Sequence, residues 1–200
     1  MFNKIIYIFT IICSLNIQSM AMEEKNIQKD VESTILQIKN ISSNKTINKS
    51  IKFDKISKLI DKFFDYQLIS RLTLGKKYKT LSKKEKIDFQ EAFTNNLKKT
   101  YIDTILSYKN GDILIDKTEK LKKTRIVLYT KLIQDTSIYN INYKLYKNIQ
   151  KDNWKIYDLN IMGVSFIKTY QNQFLQFLKS KNIQDLIIKL NNIKSNQDKK

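Results

Sequence analysis

The chain has 200 residues, 37 of them basic and 19 acidic, giving a formal charge of +18, with no histidine, no proline, three glycines and one cysteine. That length buries the core of one domain. Without histidine there is no imidazole base or metal ligand, a lone cysteine leaves no internal disulfide, and Gly75, Gly111 and Gly163 lie too far apart for a glycine-rich phosphate loop.

The N-terminus reads as an export signal. Lys4 gives a positive start, Ile5 to Cys13 is an apolar run broken only by Thr10, and Ser19-Met20-Ala21 offers the small residues a signal peptidase reads. The run is shorter than the ~20 residues that span a bilayer. We therefore expect residues 1–21 to be cleaved and 22–194 to form one domain, followed by a polar tail at 195–200; a retained N-terminal helix is the alternative. Cys13 follows Ile12, not a small residue, which argues against a lipid-anchored cysteine. Cleavage would remove Cys13 and leave a charge of +17.

Thirty-five of the 37 basic residues are lysines spread along the chain, and only Arg71 and Arg125 are arginines. Base-reading and bidentate phosphate contacts favour the arginine fork, so no nucleic-acid partner is expected. The charge suits acidic surfaces, anionic lipid headgroups among them.

Along the exported part, Ile27, Val31, Ile35, Ile38 and Ile41 recur at helical spacing. Asn and Ser residues from Ser42 to Ser50 interrupt, and a second helical region is expected from Phe53 to Leu74, closing on Gly75. Ser82 and Glu85 have the spacing of a capping box. They open a long helix with the stripe Phe89, Phe93, Leu97, Tyr101, Ile105 and Tyr108.

From Gly111 the period changes to two. Strands are expected at Asp112 to Lys117, Thr124 to Gln134, Ser137 to Asn148 and Trp154 to Ile161. After Gly163 the helical period returns in Ile167, Tyr170 and Phe174, then in Ile183, Leu186 and Leu190. The expected fold is α+β: a four-stranded antiparallel meander covered by N-terminal and C-terminal helices.

Gly163-Val164-Ser165 invites a test for a nucleophilic serine. The second glycine of a G-x-S-x-G turn is missing and there is no histidine to take the proton. Gly163 therefore reads as a hinge and Ser165 as a helix cap. Asp158 is a candidate buried acid with a partner. Rich in apolar and aromatic residues and poor in reactive ones, the chain is read as a binding protein and not an enzyme, without metal or cofactor.

Several pieces fall in a familiar order: Phe64-Asp65-Tyr66 with Leu74-Gly75; Ser82; Phe89, Ala92-Phe93, Leu97 and Thr100-Tyr101; Tyr108 before a glycine; then Trp154, Tyr157-Asp158 and Gly163-Val164-Ser165, continued by Tyr170, Phe174, Leu178 and Leu186. In this the chain resembles the MlaC or toluene-tolerance family of periplasmic phospholipid-binding proteins, departing from it at Tyr78, Gln171 and Asn182. The resemblance implies a lipid cavity between sheet and helices with the headgroup near solvent. It also implies a monomeric periplasmic shuttle carrying phospholipid between outer and inner membranes. Its implied partners are an outer-membrane lipoprotein–porin complex and an inner-membrane MCE-domain protein on an ABC transporter. Residues expected to line the cavity are Tyr101, Ile105, Tyr108, Ile126, Leu128, Ile141, Tyr143, Val164 and Ile167. A carrier of another apolar cargo, or an envelope enzyme on an α+β scaffold, are the rival readings.

Overall fold

In the computed structural model, which describes residues 26–107, 111–134 and 136–192, the apolar stripe that starts at Ile27 lies on helix α1, residues 26–43. The proposed signal segment, Tyr108 and the polar tail fall outside the described residues. Asn48 caps α2 (Lys49–Asp61) by accepting the Ile51 N–H at 3.0 Å. Asp65 caps α3 (Tyr66–Leu74) by accepting from Leu68 at 2.8 Å.

The expected single helix over Phe53–Leu74 is thus two helices, the first of which begins earlier. The break has a tertiary cause: Phe64 bridges to Ile156, with Ile156 N–H donating to Phe63 O at 2.7 Å and Asp65 N–H to Ile156 O at 3.0 Å. Two backbone bonds to the sheet replace bonds a continuous helix would have made.

Gly75 ends α3 at φ +55° and leads into a 3₁₀ turn, Gly75–Thr80. The Ser82–Glu85 capping box is formed in both directions, at 3.2 and 2.8 Å, and opens α4 (Lys83–Ser107).

The sheet is an antiparallel meander, β1 (Asp112–Lys122), β2 (Arg125–Gln134), β3 (Ser137–Asn148), β4 (Asn153–Ile161) and β5 (Val164–Ser165), with strands neighbouring in that order. It has one more strand than expected, the two-residue β5, and β1 runs five residues beyond Lys117. Gly163, at φ +86°, reverses the chain into α5 (Phe166–Phe177), and α6 (Ile183–Asn191) follows with a capping box between Asn182 and Asp185.

Two apolar clusters result. The helical one joins α3 to α6 around Phe89, Phe93 and Phe174, whose rings stack or meet edge-on at 5.4–5.7 Å. The sheet-side one gathers Ile27, Phe63, Ile126, Leu128, Leu145 and Ile156. Phe64 and Leu159 touch both clusters. Elsewhere the two are held apart by open space.

Candidate functional site

That space is a cavity of about 1170 Å³. The stripe on α4 explains how one helix serves both core and cavity. Its first turns carry Phe89 and Phe93 into the helical cluster, Leu97 and Tyr101 touch both that cluster and the cavity, and Ile105 lies on the cavity wall. Opposite them stand Leu128 on β2, Ile141 and Tyr143 on β3, and Ile156 and Leu159 on β4. Val31, Ile35 and Ile38 of α1 form a third wall. They remain half-buried because they meet open space and not another layer of side chains.

The tyrosines on these walls are apolar in effect. Burial pushes the Tyr101 phenol well above its usual range, with Tyr170 adding to the shift. Burial also raises Tyr143, with Thr130 acting the other way. Tyr66 is raised by burial and by Asp61, to which it donates at 2.9 Å. Neutral rings of this kind lower the cost of an apolar ligand without offering it charge.

The cavity's carboxylates are already engaged. Asp112 pairs with Lys39. Asp158, with its side chain only 6% exposed, pairs with Lys144 at 3.0 Å and accepts from the Ile167 backbone at 3.1 Å and from the Ser165 hydroxyl. Ser165 in turn accepts from Lys168 N–H as the cap of α5, so it works as the cap its position predicts. Among the described residues, no group of three or more Asp, Glu, His or Cys is placed to hold a metal ion.

A comparison with known families matches residues 28–192 to the family described as MlaC protein. The chain belongs to the MlaC family. Among curated proteins it is similar to the intermembrane phospholipid transport system binding protein MlaC of Haemophilus influenzae, 25% identical over 120 residues, covering 58% of this chain and 56% of the relative. It is likewise similar to toluene tolerance protein ttg2D of Pseudomonas putida, 25% identical over 129 residues, or 64% of this chain and 59% of the relative. The chain thus spans somewhat more than half the length of these relatives. Among solved structures, a phospholipid-binding protein from Ralstonia solanacearum in complex with a phospholipid shares the fold. Its TM-score is 0.68 at 19% identity, covering 84% of this chain and 94% of that one.

On this MlaC-family fold, five of the nine residues singled out in the sequence lie together on the cavity wall: Tyr101, Ile105, Leu128, Ile141 and Tyr143. Three do not. Ile126 packs into the sheet-side cluster with Ile27 and Phe63 and, unlike its cluster neighbour Leu128, does not border the cavity. Ile167 packs against the helical cluster. Val164 is 60% exposed on β5, because the turn at Met162-Gly163 carries it off the wall. Tyr108 lies outside the described residues. Sequence reasoning missed the α1 wall, although its stripe was visible, since periodicity identifies an apolar face but not what the face meets.

Proposed function

We propose that the chain is a phospholipid carrier of the bacterial envelope, exported to the periplasm, which takes up a lipid by its acyl chains and shuttles it between outer and inner membranes. The observation that carries this is the cavity: about 1170 Å³, walled by aliphatic side chains and neutral tyrosines, above the usual 300–1,000 Å³ of small-molecule pockets. At ~0.8 kcal/mol per buried CH₂, two chains of roughly sixteen carbons represent on the order of 25 kcal/mol of water avoidance, which an open groove would not supply. Membership of the MlaC family and the names of its relatives support the same reading.

With most of the binding free energy in the tails, release requires a partner that offers another apolar site. We place in that role the outer-membrane lipoprotein–porin complex and the inner-membrane MCE-domain protein with its ABC transporter that the family implies. The lysine excess then predicts association that weakens with salt. The engaged carboxylates and aliphatic walls fit cargo better than catalysis.

The test is native mass spectrometry of the protein from an envelope fraction. One phospholipid per chain is expected; a protein that is lipid-free and also fails to take up labelled phospholipid overturns the proposal.

A further inference from the structure

The cavity wall is not apolar throughout. Five of its polar side chains, Asn40, Ser42, Ser43, Lys45 and Lys52, gather where α1 ends and α2 begins. Two ion pairs fix that end in the fold, Lys39 of α1 with Asp112 at the start of β1 and Lys49 of α2 with Asp103 near the end of α4. It is also the mouth, for the wall residues with large exposed apolar side chains stand here, Leu36 on α1 and Leu114, Tyr139 and Ile161 at this end of the sheet. The far end is filled by Ile27 and Phe63.

Two hydroxyls there have an unmet demand. Ser42 Oγ and Ser57 Oγ are both shielded from solvent, both belong to wall residues, and neither has a hydrogen-bond partner among the described residues. Buried polar atoms are rarely left so, and turning each serine hydroxyl about its Cα–Cβ bond toward a ligand oxygen in the cavity is one remedy. Lys52 reaches the same place: its ammonium donates to the Ser42 carbonyl oxygen at 2.7 Å, which leaves two of its three protons to offer. Lys39 is neutralised by Asp112, but Lys45 and Lys52 meet no carboxylate among the described residues, so the mouth keeps positive charge.

We propose that this end of the cavity is a phosphate subsite that makes the carrier prefer phospholipids with a net-negative headgroup over zwitterionic ones. Phosphate oxygens accept from Lys52 and Ser42, Lys45 attracts the headgroup from the rim, and Ser57, further along α2, donates to an ester carbonyl inside. A zwitterionic headgroup brings an ammonium of its own, which the two lysines repel. The inference rests on reading the cavity as a phospholipid site, and free inorganic phosphate shares the chemistry.

In the test, the chain is equilibrated with detergent micelles holding equal amounts of phosphatidylglycerol and phosphatidylethanolamine with the same acyl chains, and native mass spectrometry reads the bound ratio. We expect phosphatidylglycerol to be favoured. The preference should fall about tenfold in Lys45→Gln/Lys52→Gln, which removes the two charges that tell the headgroups apart, whereas Ser42→Ala/Ser57→Ala, whose partners are common to both lipids, should lower the uptake of each and leave the ratio in place. Lys76→Gln/Lys77→Gln, the same charge loss away from the cavity, should leave it unchanged. Circular dichroism confirms folding, and the exposed Lys45→Gln alone serves if a double variant does not fold. Equal uptake of both lipids by the parent, an unmoved ratio in the lysine variant, or unchanged uptake in the serine variant overturns the subsite and leaves the carrier standing. Uptake of neither lipid overturns the carrier reading and the subsite with it. Titration with inorganic phosphate alone should show no saturable binding. Saturable binding lost in Lys52→Gln, with an unchanged lipid ratio, would assign the subsite to free phosphate and overturn the proposal.

Discussion

The Ser165 hydroxyl lies 2.9 Å from one oxygen of the Asp158 carboxylate and 3.1 Å from the other. One residue lies within β4 and the other caps α5, so this contact ties the sheet to the helix that follows it. The carboxylate also faces the free N–H groups at the start of α5, where negative charge is favoured. Asp158→Asn keeps the shape but loses the charge and the Lys144 pair. It should cost about 2 kcal/mol in urea denaturation, against about 1 kcal/mol for the cap variant Ser165→Ala. A Ser165→Ala protein that folds yet loses lipid would contradict the structural role given to the serine.

Val164 and Ile105 provide a paired test of where the cavity lies. Val164 is exposed and Ile105 is on the wall. Val164→Glu should leave lipid occupancy in native mass spectrometry within about twofold of the parent. Ile105→Glu, which puts a charge where acyl chains would lie, should lower it more than about tenfold. The reverse order would mean that the lipid sits elsewhere.

Gly75 and Gly163 share a positive φ but differ in surroundings. A Cβ on Gly75 would stand 2.7 Å from Gln171 Nε2, whereas one on Gly163 would meet nothing within 4 Å. Both alanine variants carry backbone strain of about 1 kcal/mol or more, and Gly75→Ala adds the displacement of Gln171, which donates to Leu72 O. Denaturation midpoints should fall further for Gly75→Ala, and Gln171→Ala in the same chain should recover only the difference.

Alkaline pH should loosen the fold through its tyrosines. Tyr101, Tyr143, Tyr66 and Tyr170 are all raised, chiefly by burial, and burial together with the hydrogen bond to Asp65 pushes Tyr146 up to about 12. A raised folded value means that the neutral phenol is favoured in the native state. The stabilisation is complete below the unfolded value of about 10 and is lost as pH climbs through the folded ones. Melting temperature should therefore drop above about pH 10. Tyr101→Phe, which has no phenol to ionise, should drop less than the parent; an identical decline would assign the loss to the lysines instead.

Much of this architecture is legible in the sequence because local signals and tertiary outcome agree. The Ser82–Glu85 box, the stripe of α4 and the alternation of β3 each needed only neighbours along the chain. Where the outcome depended on distant partners, the reading slipped. The segment from Phe63 to Tyr66 carries an apolar run that continues a helix, yet Ile156, 92 positions after Phe64, draws it to the sheet. Lys117 to Lys122 shows no alternation, and it is β2 that holds it as strand. The site was half legible for the same reason. Alternation put Ile126 and Leu128 on one face, but only the packing of Ile27 and Phe63 decides that the first is filled in and the second faces the cavity.

An open antiparallel sheet presents unpaired backbone groups along its edges, a template for strand addition by another chain. Here one border, β1, carries Lys117, Lys120 and Lys122 among Asp116 and Glu119, and is kinked by irregularities at Ile115/Lys117 and Lys120/Lys122. The other, β5, is two residues long before the chain turns into α5, and the outer edge of β4 beyond it is met at Ile156 by backbone bonds with Phe63 and Asp65. The sheet can therefore stay unclosed, as a cavity with a mouth requires, while neither border offers a flat, uncharged strand for a second molecule to extend.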